Sequence, residues 1–176
     1  SFQETPPAGT CLYGITIPPV GGDTLFANQA TALDQMPGEL RARLEGKKAI
    51  HSARAAYSKQ GAYGVNDATR AMDIRPSDEA SATQTHPFIR IHPETGREAV
   101  FGCAGYIIGV EGMAQDEATT LLGDLYRWQT QHAFQYRHKW SPGTLFMWDN
   151  RSVLHMATGG YQGHDRLLHR TTIGAR

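Results

Sequence analysis

Between Phe134 and Gly174 the chain is cut into apolar runs too short to be helices. "FQYRHKW" alternates apolar and polar residues and "SPGT" turns it. "LFMWDN" and "SVLHMAT" follow, and a glycine-rich loop leads into "DRLLHRTTIG". Runs of this length between turn residues predict strands, and links this short join antiparallel neighbours. Nineteen glycines and nine prolines among 176 residues favour a β-rich or mixed fold over a helical bundle.

The rest of the chain fits that frame. "GTCLYGITIPPV" (9–20) predicts a strand ending at Pro18-Pro19, and "GGDT" (21–24) a turn. Helical spacing follows in two pieces, about 28–36 and 37–45, with Pro37 in the first turn of the second. Residues 47–56 predict a strand, and 57–84 a long polar surface loop of the kind that forms lids or binding loops. "HPFIRIHPETGREAVFG" predicts a hairpin turned by "PETG". Residues 114–131 predict an amphipathic helix with acids in its first turn. The order is a strand, helices, then mostly antiparallel strands, which predicts a mainly β, α+β fold: a sheet sandwich or barrel with flanking helices. The length suits one domain over 1–176.

Lys+Arg and Asp+Glu balance at 17 each, so no broad basic surface for nucleic acid or an acidic membrane is present. No apolar run reaches the length of a membrane span and no signal-peptide pattern opens the chain, so the expectation is a cytoplasmic protein. Cys11 and Cys103 form neither a disulfide framework nor a zinc spacing and read as small buried hydrophobes. Ser1-Phe2 opens a strand-like run that reads as the continuation of a longer chain.

Candidate chemistry gathers near the end. In the last strand Arg166, Leu168, Arg170 and Thr172 share one face. Two arginines beside a leucine suit a clamp for a carboxylate or sulfonate, and equally a solvated edge strand. His155 shares a face with Val153 and Ala157, as a core histidine or a ligand would. One histidine is not a metal site, because the facial triad of non-haem iron takes two histidines and a carboxylate. His86 and His92, each before a proline, read as turn residues; His132 and His138 have no carboxylate at ligand spacing. Trp148, Asp149 and Asn150 read as packing and turn residues.

The stretches "SFQETPPAG", "GGDTLFAN", "HPFIRIHPETGREAVF", "FQYRHKWSPGTLFMWDNRSVLHMATGGY" and "RLLHRTTIG" together resemble the TauD/TfdA family of Fe(II)- and 2-oxoglutarate-dependent dioxygenases, in family order. The resemblance covers the family's C-terminal two-thirds or so. It implies a double-stranded β-helix, or jelly roll, N-terminally incomplete here. It implies Fe(II), 2-oxoglutarate and O2 as cofactor and cosubstrates, and hydroxylation of a small anionic organic substrate: a sulfonate, sulfate ester, or carboxylate or aryloxy acid. By position it makes His155 the late iron ligand, Thr24 and Arg166 the holders of 2-oxoglutarate, and Arg170 the arm facing the substrate's anion. Ala56, Tyr57 and Tyr106 resemble the wall of the substrate pocket. The family's His-x-Asp pair would fall just ahead of Ser1, leaving two of three iron ligands outside these residues. A homo-oligomer is possible, as in other members. Two rival readings stay open: a non-catalytic jelly roll binding a small acid through Arg166 and Arg170 without metal, and a metal-dependent hydrolase or cupin-like isomerase using His155.

Overall fold

The computed structural model describes residues 1–61 and 76–175, which gather into two compact units. The middle of the expected 57–84 loop, residues 62–75, lies outside the described residues.

The first unit comprises residues 1–5, 38–89 and 101–126. Its sheet has the order β4 (Thr83–Pro87), β3 (Lys48–Ser52), β7 (Ile107–Val110), antiparallel throughout, with Ala49 opposite both His86 and Val110. Helix α2 (Gly38–Leu44) precedes β3 and the short α3 (Arg54–Tyr57) follows it, so the expected 47–56 strand ends early. Helix α4 (Gln115–Gln129) begins here with Asp116 and Glu117 in its first turn, where the dipole favours acids. It buries Ala118, Leu121 and Leu125, which fall on one helical stripe.

The second unit comprises residues 6–37, 90–100 and 127–176. One sheet has the order β11 (Leu167–Ile173), β1 (Gly9–Thr16), β9 (Leu145–Asp149). The other has the order β10 (Val153–Ala157), β2 (Thr24–Asn28), β8 (Gln135–His138). Strand β2 lies between the expected turn at 21–24 and the expected helix at about 28–36, where no element is predicted. "TLFAN" is a strand, and only Gln29–Asp34 is helical (α1), capped by the Asn28 side chain on the N–H groups of Ala30 and Thr31. The hairpin β5 (Ile89–Ile91) and β6 (Glu98–Val100) forms as expected, with Gly96 at φ +69° in its turn.

Ring contacts show which faces of these two sheets look at each other. Phe26 of β2 stacks on Phe146 of β9 at 4.6 Å and meets Trp148 at 5.1 Å. His138 of β8 lies 4.4 Å from Phe146, and Trp148 lies 4.7 Å from His155 of β10. The inside of this unit is therefore an aromatic layer. The opposite face of the β11–β1–β9 sheet exposes Tyr13, Leu145, Met147, Leu167 and Ile173. Cys11 and Cys103 are free and half-buried, less enclosed than the expected small buried hydrophobes. No helix among the described residues is long and apolar enough to cross a membrane.

Candidate functional site

Directly opposed residues of paired strands point to the same face. In the β10–β2–β8 sheet, His155 opposes Phe26, which opposes Tyr136; Ala157 opposes Thr24, which opposes His138. In the β11–β1–β9 sheet, Arg170 opposes Leu12, which opposes Phe146; Thr172 opposes Thr10, which opposes Trp148. Since Phe26, Phe146 and Trp148 touch, Thr24 and His155 from one sheet and Arg170 from the other face the same interior. Arg170 therefore lies on the inward face of β11, an edge strand, and its side chain is exposed to solvent, so both readings of the strand keep support.

Arg166 stands one residue ahead of β11, half-buried. Its Nε donates to the Gly22 carbonyl at 3.2 Å, and its Cζ lies 5.6 Å from the Tyr161 ring centroid. Neither terminal nitrogen takes a partner among the described residues, so the forked end that binds carboxylates is available. The turn that holds Nε depends on glycine. Gly21 and Gly22 both have φ +68°, and a Cβ on Gly21 would lie 2.4 Å from the Gly160 carbonyl oxygen. The Gly22 N–H donates to the Gly159 carbonyl at 3.0 Å, and the Thr158 N–H and hydroxyl both donate to the Asp23 carbonyl, at 2.8 and 3.0 Å. Two residues on, Thr24 is buried and its Oγ1 accepts from Trp140 Nε1 at 3.0 Å.

His155 packs against the Trp148 ring, and neither of its nitrogens makes a hydrogen bond among the described residues. The residue as a whole is exposed, and the partial desolvation of its ring against its neighbours lowers its pKa from the ordinary imidazole value, with the Arg170 charge pushing it the same way. A neutral imidazole with an uncommitted nitrogen is what a metal ligand requires. His155 thus fits one position of an iron site. Among the described residues no three His, Cys, Asp or Glu side chains cluster to hold a metal, and no His-x-Asp occurs in the 176 residues. His138 is enclosed by Trp140 and Phe146; desolvation lowers its pKa against an opposing pull from Asp23.

The turn from β9 to β10 carries polar residues whose partners lie far off in sequence. Asp149 accepts from Arg151 Nε at 2.9 Å and from His92 Nε2 at 2.9 Å, while Arg151 also bonds Glu94. His92 Nδ1 accepts from the N–H groups of Glu94 and Thr95, so the geometry assigns its proton to Nε2. Asn150 donates to Thr10 Oγ1 at 2.9 Å and to the Pro7 carbonyl at 3.3 Å. His92 therefore closes the hairpin turn, as expected, and is also a buried anchor for Asp149. His86 is likewise buried in β4, its Nε2 3.0 Å from the Gln3 carbonyl. These partnerships span many residues, and spacing gave no signal of them. His164 and His169 are exposed.

In the first unit, Phe2, Tyr57 and Tyr106 form an aromatic group. Phe2 lies 5.0 Å from Tyr106 and 6.4 Å from Tyr57, and the two tyrosine rings are nearly parallel at 6.4 Å. Ala56 precedes Tyr57 at the end of α3. The site residues thus fall into two groups: Thr24, His155, Arg166 and Arg170 in the second unit, and Tyr57 and Tyr106 in the first.

A family model described as taurine catabolism dioxygenase TauD, TfdA family, matches residues 1–172. An alpha-ketoglutarate-dependent 2,4-dichlorophenoxyacetate dioxygenase of Cupriavidus pinatubonensis is 36% identical over 155 residues, 88% of this chain and 51% of the relative. The crystal structure of a taurine dioxygenase from Burkholderia xenovorans superposes with a TM-score of 0.80 at 29% identity, covering 98% of this chain and 54% of that one. The crystal structure of AAD-2 in complex with Mn(II) and N-oxalylglycine gives a TM-score of 0.84 at 28% identity, covering 100% of this chain and 58% of that one. The chain spans about half the length of the curated relatives it matches.

Proposed function

Because the chain belongs to the taurine catabolism dioxygenase TauD, TfdA family and has its jelly-roll fold, we propose that the protein is an Fe(II)- and 2-oxoglutarate-dependent dioxygenase acting on a small organic anion. The observation that carries this is the turn at Gly21–Thr24. It holds on its Gly22 carbonyl a half-buried arginine with an unpartnered fork and, two residues on, carries a buried threonine hydroxyl, in the unit that also holds His155. The similarity to a protein crystallised with Mn(II) and N-oxalylglycine supports the same reading.

Arg166 and Thr24 hold the distal carboxylate of 2-oxoglutarate. The guanidinium offers two parallel N–H groups, and its anchored Nε fixes the plane in which they lie. His155 would supply one neutral nitrogen to the iron, one donor of the two-histidine, one-carboxylate set that such a site takes. Bound iron contributes the oxidation, in which 2-oxoglutarate and O2 yield succinate and CO2 and one oxygen atom enters a substrate C–H bond. Arg170 faces the same interior as His155 and orients the substrate by its anionic group. The relatives named for 2,4-dichlorophenoxyacetate, phenoxypropionate, sulfonates and alkyl sulfates support a substrate class of aryloxy carboxylic acids, sulfonates and sulfate esters.

The test is succinate formation by the full-length protein, with Fe(II), O2 and 2-oxoglutarate supplied together and each omitted in turn. The expected result is succinate only in the complete mixture, stimulated by an anionic substrate. No succinate and no bound iron would favour a metal-free acid-binding domain instead.

A further inference from the structure

We propose that Trp140 is a positioning residue for 2-oxoglutarate, turning the Thr24 hydroxyl into a fixed hydrogen-bond donor toward the distal carboxylate. The inference rests on the proposed role of Thr24 and Arg166 and goes beyond it, because Trp140 acts through the Thr24 hydroxyl.

An indole nitrogen can only donate, whereas a hydroxyl has one proton and two acceptor lone pairs. In the 3.0 Å bond between them Trp140 Nε1–H is therefore the donor and Thr24 Oγ1 the acceptor. The Thr24 proton is left over, and it meets no acceptor among the described residues. A buried hydroxyl with an unspent proton is uncommon, since buried polar groups are normally satisfied. Thr24 is 2% exposed and Trp140 8%, so water has little access to either.

The direction of the proton is set by groups packed into the aromatic layer and paired in the sheet. Trp140 stands edge-on to His138 at 4.7 Å and to Phe146 at 6.2 Å, so packing in the aromatic layer fixes the N–H. Thr24 is held in β2 between His138 and Ala157. Two residues earlier, the Gly22 carbonyl holds Arg166 Nε. One four-residue turn thus presents two donors, a guanidinium fork and a hydroxyl whose proton is unspent. An anion with acceptor oxygens only is the ligand that satisfies both. Without the indole, the hydroxyl could rotate its lone pairs toward the same anion. Fixing donors before the ligand arrives saves their reorganisation.

Calorimetric binding of N-oxalylglycine to the full-length protein in the presence of Mn(II) tests this, with a readout independent of turnover. Trp140 is replaced by 3-benzothienylalanine, which keeps the ring shape and removes only the N–H; Trp140→Phe is the encodable counterpart. The expected loss of affinity is about 3- to 10-fold, the size of one hydrogen bond. In a Thr24→Val background the same replacement should cause no further loss, because the indole acts through the hydroxyl. Unchanged affinity after the benzothienyl replacement overturns the proposal, as does a loss that adds fully to that of Thr24→Val. Failure of the unsubstituted protein to bind N-oxalylglycine overturns the underlying role of Thr24 and Arg166 and takes this inference with it.

Discussion

Asp149 collects hydrogen bonds from Arg151 and His92 at the turn between Trp148 and His155. Burial alone would raise its pKa, but those bonds outweigh burial and bring the carboxyl from 3.8 down to about 2. The sign follows from linkage. The folded pKa lies below the unfolded one, so the contribution is complete above about pH 4 and is lost as pH falls toward about 2. Asp149→Asn should therefore flatten the acid limb of a stability-against-pH curve in that window. It should also lower stability at neutral pH by about 2 kcal/mol, the scale of a hydrogen bond to a charged group. An unchanged acid limb in urea melts would remove Asp149 from this role. The tripeptide could be read in the sequence as turn and packing residues. Its partner His92, 57 residues away, could not, since a histidine before a proline carries the turn signal whether or not its ring is anchored.

At the scale of elements, the best-read segments were those where chemistry changes abruptly. Strands β8 to β11 are cut by "SPGT", "DNRS" and a glycine-rich loop, and they form close to where those breaks place them. Strand β2 was hidden because "TLFANQATALD" also satisfies helical spacing and its strand has only five residues. Tertiary pairing with β10 and β8 overrides that local preference. Alternation in β11 did not separate inside from outside, because Leu167 and Ile173 leave its outer face apolar as well. The glycine turn ahead of β2 gives a sharper test. Gly21→Ala adds a Cβ 2.4 Å from the Gly160 carbonyl oxygen at φ +68°, so the two loops must part. The expected cost is at least about 2 kcal/mol of stability. Because Gly22 holds Arg166, the same change should weaken 2-oxoglutarate binding. A variant of unchanged melting temperature and affinity would contradict this account of the turn.

At the scale of the whole molecule, the family pattern runs through nearly the full chain. The family could be identified from five stretches in order, and the match over residues 1–172 bears that out. The placement of Arg170 beside His155 needed the register of two sheets and the ring contacts between them, which no single strand pattern contains. The two arginines are assigned to different ligands. Arg170→Ala should weaken binding of an anionic substrate by tenfold or more, about 1.4 kcal/mol, while leaving 2-oxoglutarate affinity within about twofold. The most direct measurement is therefore the affinity of the full-length protein for 2-oxoglutarate, compared with Arg166→Ala and Arg170→Ala. Binding lost in the first variant and kept in the second is the predicted result. Equal affinity in all three proteins would contradict the claim that Arg166 seats the cosubstrate.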